Sequence, residues 1–180
     1  MLQIKKIFAF CVLSLLVVSH EAQALTTKQA NNLITSLVED INIIINSNKP
    51  PTYMYLDFKT VLTKYGDTKI MAQKVLGIDW RRATVRQRQD FQKAFEHYLS
   101  IKYGKRFREF LGGVITVTKS RKVNSVFEVI SIVELKNQAP FEVRWLVASK
   151  DGTPKMFNLF IDCLLYTSDA ADDTPCVDLG

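Results

Sequence analysis

The hydrophobic pattern of this chain changes its period once, at Gly112-Gly113, and this change limits the possible folds more than any other feature. Before the glycine pair, apolar residues recur three or four positions apart, which is typical of helices that bury one face. After it, apolar and polar residues alternate, which is typical of strands. Helices followed by a run of strands predict an α+β domain. We expect the helices to pack on one face of a curved, four-stranded antiparallel sheet.

Local signals place the ends of the predicted helices. The first helix is expected to run to about Asn46, and the second to contain Met54 to Tyr65 after a break at residues 46–51. The third is expected to run from its cap Asp67 through Leu76, and the fourth from Thr84 to the glycine pair. Thr26 or Thr27 can cap the first helix, and Thr84 and Gln87 have the spacing of a capping box. Gly77 follows the third helix in the position where a C-terminal glycine is common.

The longest predicted helix carries a deep apolar stripe. Its members recur at spacings of three, four and one: Phe91, Phe95, Tyr98, Leu99, Tyr103, Phe107, Phe110 and Leu111. Taken alone, a stripe of this kind is typical of ordinary core packing.

The four predicted strands cover residues 114–118, 125–135, 141–149 and 155–162. In the third strand, Phe141, Val143 and Trp145 alternate with charged residues, so they are expected on one face. Phe157 and Leu159 in the fourth strand are expected to repeat this pattern. The short links between the strands favour antiparallel neighbours.

The first 24 residues have the three parts of a secretory signal peptide. Lys5 and Lys6 give a positive start, an apolar run follows, and Ala22-Gln23-Ala24 is a small-residue cleavage site. The apolar run is shorter than the roughly 20 residues that cross a bilayer. The sequence therefore predicts export to the periplasm with cleavage after Ala24, the alternative being an uncleaved anchor.

The last part of the chain, residues 163–180, differs abruptly in composition from the sequence before it. This segment contains four Asp and no Lys or Arg. It looks like the translation of a sequencing adapter, and we interpret it as a non-native tail. A genuine acidic, disordered tail is the alternative.

The body, residues 25–162, offers little material for catalysis. It has no cysteine, and His97 is its one histidine, so the common metal sites and nucleophilic triads lack their residues. Two of the 24 basic and five of the 18 acidic residues lie outside it, which gives the body a net charge of +9. Because export separates the chain from nucleic acid, anionic lipid headgroups or an acidic protein surface are the expected partners.

Residues 70–111 carry a resemblance to a known family. The matching pieces are Val75-Leu76-Gly77, Trp80-Arg81, Ala83-Thr84, Gln87-Arg88, Phe91, Phe95, Leu99, Tyr103 and the later run Lys155 to Asp162. This pattern resembles the periplasmic phospholipid carriers of the Mla (maintenance of lipid asymmetry) pathway, the MlaC or toluene-tolerance family. Pro154 stands where many members have Trp, and Asn158 where many have Asp.

The resemblance implies a monomeric carrier without cofactor or enzymatic activity. The carrier would hold a phospholipid in an apolar cavity and pass it between an outer-membrane lipoprotein–porin complex and an inner-membrane ABC transporter complex. Another apolar ligand, such as a hopanoid, is the alternative. A closing helix would follow Asp162, so the domain 25–162 is expected to be a truncated lipid carrier.

On this resemblance the aromatic stripe becomes one wall of a lipid cavity and the sheet another. The residues expected to bind lipid are Leu62, Ile70, Val75, Phe91, Phe95, Tyr98, Leu99, Tyr103, Phe107, Val129, Val143, Trp145, Phe157 and Leu159. A two-chain lipid has on the order of 30 methylenes, each costing about 0.8 kcal/mol to expose to water. Passage between membranes therefore requires an enclosing cavity.

Overall fold

The computed structural model describes residues 25–149 and 152–161, without the side chains of residues 51, 52 and 105–108. The predicted signal peptide and the predicted non-native tail lie outside the described residues. The elements in chain order are α1 (Thr27–Ile45), α2 (Pro51–Tyr65), α3 (Thr68–Leu76), α4 (Asp79–Arg82), α5 (Val85–Arg106), a 3₁₀ turn (Phe107–Phe110), β1 (Val114–Val123), β2 (Val126–Glu134), β3 (Phe141–Ser149) and β4 (Pro154–Ile161).

The helix starts follow the capping signals in the sequence. The hydroxyl of Thr26 accepts a hydrogen bond from the Gln29 N–H at 3.2 Å, and the Gln29 side chain accepts one from the Thr26 N–H at 2.9 Å. Thr84 and Gln87 form the same reciprocal pair, with distances of 2.8 and 3.2 Å. Asp67 caps α3 by accepting from the Ile70 N–H at 2.9 Å. These caps satisfy backbone donors that have no partner within the helix.

Two features of the helical part differ from the prediction. The longest helix ends at Arg106 and continues to Phe110 as a 3₁₀ turn, not as α-helix to Leu111. The one-turn α4 (Asp79–Arg82) was not predicted, and Trp80, which is buried, fixes it to the core. Four residues are too few to show a helical period, so this turn leaves no sequence signal.

The four strands form one antiparallel sheet in the order β1-β2-β3-β4. β1 extends to Val123, five residues beyond the predicted end, and turns into β2 through Asn124, whose φ is +53°. Its second half is polar because β1 is an edge strand, and a bulge at Thr118 interrupts its alternation. The predicted α+β architecture is confirmed.

β4 corrects one predicted face. Leu159 pairs with Trp145 and Met156 pairs with Val147, so the register shifts between them. Phe157 is the extra residue in this bulge, and it leaves the face that Leu159 occupies. Met156 takes the inward position that alternation had assigned to Phe157.

The first helix lies directly on the sheet. Ala30 and Ile34 are fully buried, and contacts with β1 and β2 run along the helix. The side chain of Asn42 donates to the Ile115 carbonyl at 2.9 Å and accepts from its N–H at 3.1 Å, which fixes the end of α1 to the start of β1. Around Ala30 and Ile34, this side of the domain is a solid core.

None of the helices among the described residues combines the length and apolar character that crossing a membrane requires.

Candidate functional site

An apolar cavity of about 540 Å³ lies between the helices and the sheet. Its walls come from α1, from α2 and α5, and from the inner face of all four strands. The apolar lining is Leu37, Ile41, Phe58, Val61, Leu62, Met71, Leu99, Tyr103, Phe110, Ile115, Val133, Leu135, Ala139, Phe141, Val143, Trp145, Met156, Leu159 and Ile161. The volume falls in the range typical of ligand sites.

The wall opposite the sheet is a pair of helices that cross very closely. A Cβ on Gly104 of α5 would lie 2.6 Å from the Cα of Tyr55 in α2, so only glycine allows this approach. Next to the crossing, the rings of Phe58 and Tyr103 lie 6.1 Å apart, centre to centre. The two helices therefore form one continuous wall, and the cavity is the space left between this wall and the sheet.

The sheet wall is apolar although it contains two polar groups. The indole N–H of Trp145 donates to the hydroxyl of Ser131 at 2.9 Å, and both residues are buried. Since this bond satisfies the one donor of the indole ring, Trp145 requires neither water nor a polar ligand. Trp145 is fixed in one orientation and presents its ring to the cavity.

The inner end of the cavity is closed where α2 meets α3. Met71 and Met156 line it. The Asp67 N–H donates to the Met156 carbonyl at 2.8 Å, which joins the helical layer to β4 at this point. Methionine side chains are flexible and adapt to ligands of different shape.

The opposite end of the cavity, which we call the mouth, opens to solvent at Glu109, Asn137 and Gln138. Phe110 and Phe141 pack edge to face beside it, with ring centres 6.2 Å apart. Among the described side chains that line the cavity, only Glu109 is charged. The arrangement suits an elongated ligand with an apolar body inside and a polar end at the mouth.

Six of the fourteen residues predicted to bind lipid line this cavity. They are Leu62, Leu99, Tyr103, Val143, Trp145 and Leu159. They come from α2, α5, β3 and β4, so these four elements border the same space.

The other predicted site residues lie elsewhere. Phe95 and Val129 are buried in the core and do not line the cavity, and Phe91 packs against this core, with its ring 6.0 Å from that of Phe95. Val75 and Tyr98 are 51% and 54% exposed, because they lie on the outward faces of their helices. The side chain of Phe107 is not among those described.

Two further predicted residues, Ile70 and Phe157, line a separate and more polar cleft beside α3. The bulge in β4 turns Phe157 towards this cleft, where Lys74 lies over its ring at 4.6 Å from the ring centre. Leu37 and Ile41 of α1 also line the cavity, and the sequence does not predict this. Their spacing of four residues predicts only a buried helix face.

A polar cluster joins α1 to α2 outside the cavity. The Asp40 carboxylate accepts from the Lys64 ammonium at 2.8 Å and from the Tyr65 hydroxyl at 2.7 Å. The hydrogen bond from Lys64, and then that from Tyr65, lowers the pKa of Asp40. The same bond to Asp40 raises the pKa of Lys64, and burial raises the pKa of Tyr65.

The described residues that line the cavity include no histidine, cysteine, serine or threonine. His97 is exposed on α5. Within the part of the chain that the structure describes, no three His, Cys, Asp or Glu side chains are placed to hold a metal ion.

Comparison with known proteins agrees with this geometry. The sequence model of the MlaC protein family matches residues 33–164, which is more than half of the chain. The chain belongs to the MlaC family. The family resemblance inferred from residues 70–111 is thereby confirmed.

The fold recurs in a solved structure. The chain is similar to a phospholipid-binding protein from Ralstonia solanacearum that was determined in complex with a phospholipid, with a TM-score of 0.66 and 19% sequence identity. The match covers 76% of this chain and 79% of that chain. No curated protein sequence matches the chain significantly. At this identity the likeness shows a common fold.

Proposed function

We propose that this protein is a carrier that binds a phospholipid by its acyl chains inside the cavity. The single observation that carries the proposal is the apolar cavity of about 540 Å³, with its polar residues gathered at one open end. Membership of the MlaC family and the similar fold of a phospholipid-binding protein support it.

The volume limits how much lipid the cavity can enclose. If a methylene takes about the 30 Å³ that a water molecule takes in the liquid, the cavity holds about 18 such groups. This is about one acyl chain. Enclosing 18 methylenes gains roughly 14 kcal/mol relative to water, before the cost of ordering the ligand. A second chain requires the α2–α5 wall to move outwards or lies along the mouth.

The finer part of the proposal concerns transport. As in the pathway that the family resemblance implies, the carrier would move in the periplasm between an outer-membrane lipoprotein–porin complex and an inner-membrane ABC transporter complex. This exchange would maintain the lipid asymmetry of the outer membrane. We further propose that the carrier is a monomer, acts without chemical conversion of the lipid, and is exported by a signal peptide cleaved after Ala24.

A different apolar ligand, such as a hopanoid, is the second candidate. It is favoured by one observation: the lining contains Glu109 and two amides but no described basic side chain that would pair with a phosphate. Mass spectrometry of lipids extracted from the purified protein distinguishes a phospholipid from a hopanoid.

The cavity itself is tested by two adjacent residues of α5. Leu99 is buried and lines the cavity, whereas its neighbour Tyr98 is exposed on the outer face of the same helix. Leu99→Arg places a charge in the apolar lining and should lower the co-purified lipid at least about tenfold. The matched control Tyr98→Arg should keep the lipid content of the wild type.

Both variants are to be compared at equal helix content, measured by circular dichroism. If folded Leu99→Arg protein carries as much lipid as the control, the proposed ligand site is wrong. N-terminal sequencing of exported protein tests the export proposal separately, since cleavage after Ala24 leaves Leu25 as the first residue.

A further inference from the structure

Large apolar side chains are exposed around the mouth of the cavity. Of the ten exposed large apolar residues in the described part of the chain, six lie at this end of the domain. They are 37% to 67% exposed, and we call them the rim: Ile43, Tyr53, Leu56, Ile101, Leu111 and Val114.

Contacts between the elements place the rim at one end. The hydrogen bonds of Asn42 hold the last turn of α1, which carries Ile43, against the start of β1. The approach of Gly104 to Tyr55 holds the end of α5 against the first turns of α2. Leu111 and Val114 follow the 3₁₀ turn whose Glu109 and Phe110 line the mouth.

The chain around the mouth is also basic. Residues 101–110, which form the end of α5 and the 3₁₀ turn, contain four Lys or Arg and one Glu. Lys136 is exposed next to Asn137 in the loop between β2 and β3. Apolar side chains beside basic ones are the combination that binds the surface of an anionic bilayer, since the former enter the interface and the latter meet the phosphates.

The opposite end of α5 carries a second surface that is both apolar and basic, which we call the remote surface. Val75, Ile78 and Val85 are exposed there, and residues 74–90 contain five basic and two acidic residues. Two of these bases are paired, Arg82 with Asp79 at 3.5 Å and Arg86 with Asp90 at 3.8 Å. The 22 residues of α5 separate this end from the mouth by about 33 Å. The mouth of the cavity therefore opens far from this remote surface.

We propose that the mouth end of the domain binds the surface of an anionic phospholipid bilayer through the rim. The apolar rim side chains enter the headgroup region, and the cavity opens directly onto the membrane. This inference rests on the proposed function for its purpose, the entry of lipid into the cavity. It differs from that function in assigning a membrane-binding surface outside the cavity.

The test uses the purified protein and sedimentation with two kinds of vesicle, phosphatidylcholine alone and phosphatidylcholine mixed with phosphatidylglycerol. The protein should sediment with the anionic vesicles, and much less with the neutral ones or at high salt. Leu111→Ser combined with Val114→Ser should weaken this binding by about tenfold or more.

The matched control is Ile78→Ser combined with Val85→Ser, which removes two apolar side chains from the remote end that are 59% and 69% exposed, against 46% and 51% for Leu111 and Val114. The control should bind vesicles as the wild type does. The proposal is overturned if the control loses binding and the rim variant keeps it, or if both keep it. It is also overturned if the wild type binds neither vesicle, in which case the rim serves a protein partner.

Lipid content separates this proposal from the proposed function. The rim variant should retain its co-purified lipid, because neither Leu111 nor Val114 lines the cavity. Leu99→Arg should lose its lipid and still bind anionic vesicles. If the wild type bound vesicles but carried no lipid, the carrier function would be contradicted and the membrane-binding surface would not.

Discussion

Two helical surfaces face the sheet, and both are apolar. One packs directly on the sheet, and the other is separated from it by the cavity. α1 lies directly on β1 and β2 around the fully buried Ala30 and Ile34, and only Leu37 and Ile41 farther along it line the cavity. α2 and α5 hold each other closely and leave a cavity of about 540 Å³ between themselves and the sheet. The first surface stabilises the domain by its contacts with the sheet, whereas the second lacks part of these contacts and leaves a space that a ligand can fill. Substitutions should therefore have different consequences on the two sides.

The largest expected effect is on the solid side. Ile34→Ala removes a fully buried side chain from α1 and should lower the free energy of unfolding by about 2–5 kcal/mol, because the close-packed surroundings cannot fill the space. Urea denaturation of lipid-free protein measures this change. A loss below about 1 kcal/mol would mean that this side is not solid.

The next largest effect is expected from a larger side chain, which should change the stability of the two sides differently. Val129→Phe in the solid core should destabilise the protein by about 1–3 kcal/mol or more, because the ring has no space. Leu62→Phe, whose side chain borders the cavity, should change the stability of lipid-free protein much less and lower its lipid content. Denaturation and lipid mass spectrometry on the same preparations check both. Equal destabilisation by the two variants would contradict the contrast.

The Ser131–Trp145 hydrogen bond lies at the boundary between the two sides. Ser131→Ala leaves the buried indole N–H without a partner and should cost about 1–3 kcal/mol. Combining it with Trp145→Phe removes both partners, so the double variant should cost less than the sum of the single variants. Urea denaturation of the four proteins in this cycle measures the coupling. Strict additivity would show that the bond does not stabilise the wall.

The smallest expected effect concerns the link between α1 and α2. The pKa of Asp40 is lowered in the folded state, so the ionised carboxylate stabilises the fold above its unfolded pKa of about 4. This contribution is lost as the pH falls through the lower folded pKa. Since a third of the side chain is exposed, we expect about 0.5 kcal/mol.

Asp40→Asn is the matching variant for this link. Its free energy of unfolding should equal that of the wild type at the acid end of a titration and fall below it near neutral pH. A difference between the two proteins that grows towards low pH would reverse the predicted sign.

The sequence predicts local features of this fold well. The caps at Thr26, Asp67 and Thr84 each join residues three positions apart, so a short stretch of sequence is enough to predict them. The change of period at Gly112-Gly113 likewise separates the helices from the strands. The predicted ends of β1 and of the longest helix were wrong because an edge strand and a 3₁₀ turn have weak patterns.

The outline of the cavity could be predicted only in part. Leu99 and Phe95 belong to one stripe of α5, yet only Leu99 lines the cavity. Which residue of this stripe borders the cavity depends on the side chains of other elements, and the periodicity of α5 alone cannot predict it. The displacement of Phe157 likewise depends on the pairing of β4 with β3, which the sequence of β4 alone does not specify.

The contact of Gly104 with Tyr55 has a consequence for the range of lipids that such a carrier can accept. This glycine lies outside the cavity, but the separation of α2 and α5 depends on the hydrogen atom that it has in place of a side chain. An alanine would meet the α2 backbone, which cannot rotate away as a side chain can, so the two helices would have to separate. The width of the compartment is thus controlled from behind its wall. To adapt this scaffold to a bulkier lipid, an engineer would start at residue 104 and leave the lining unchanged.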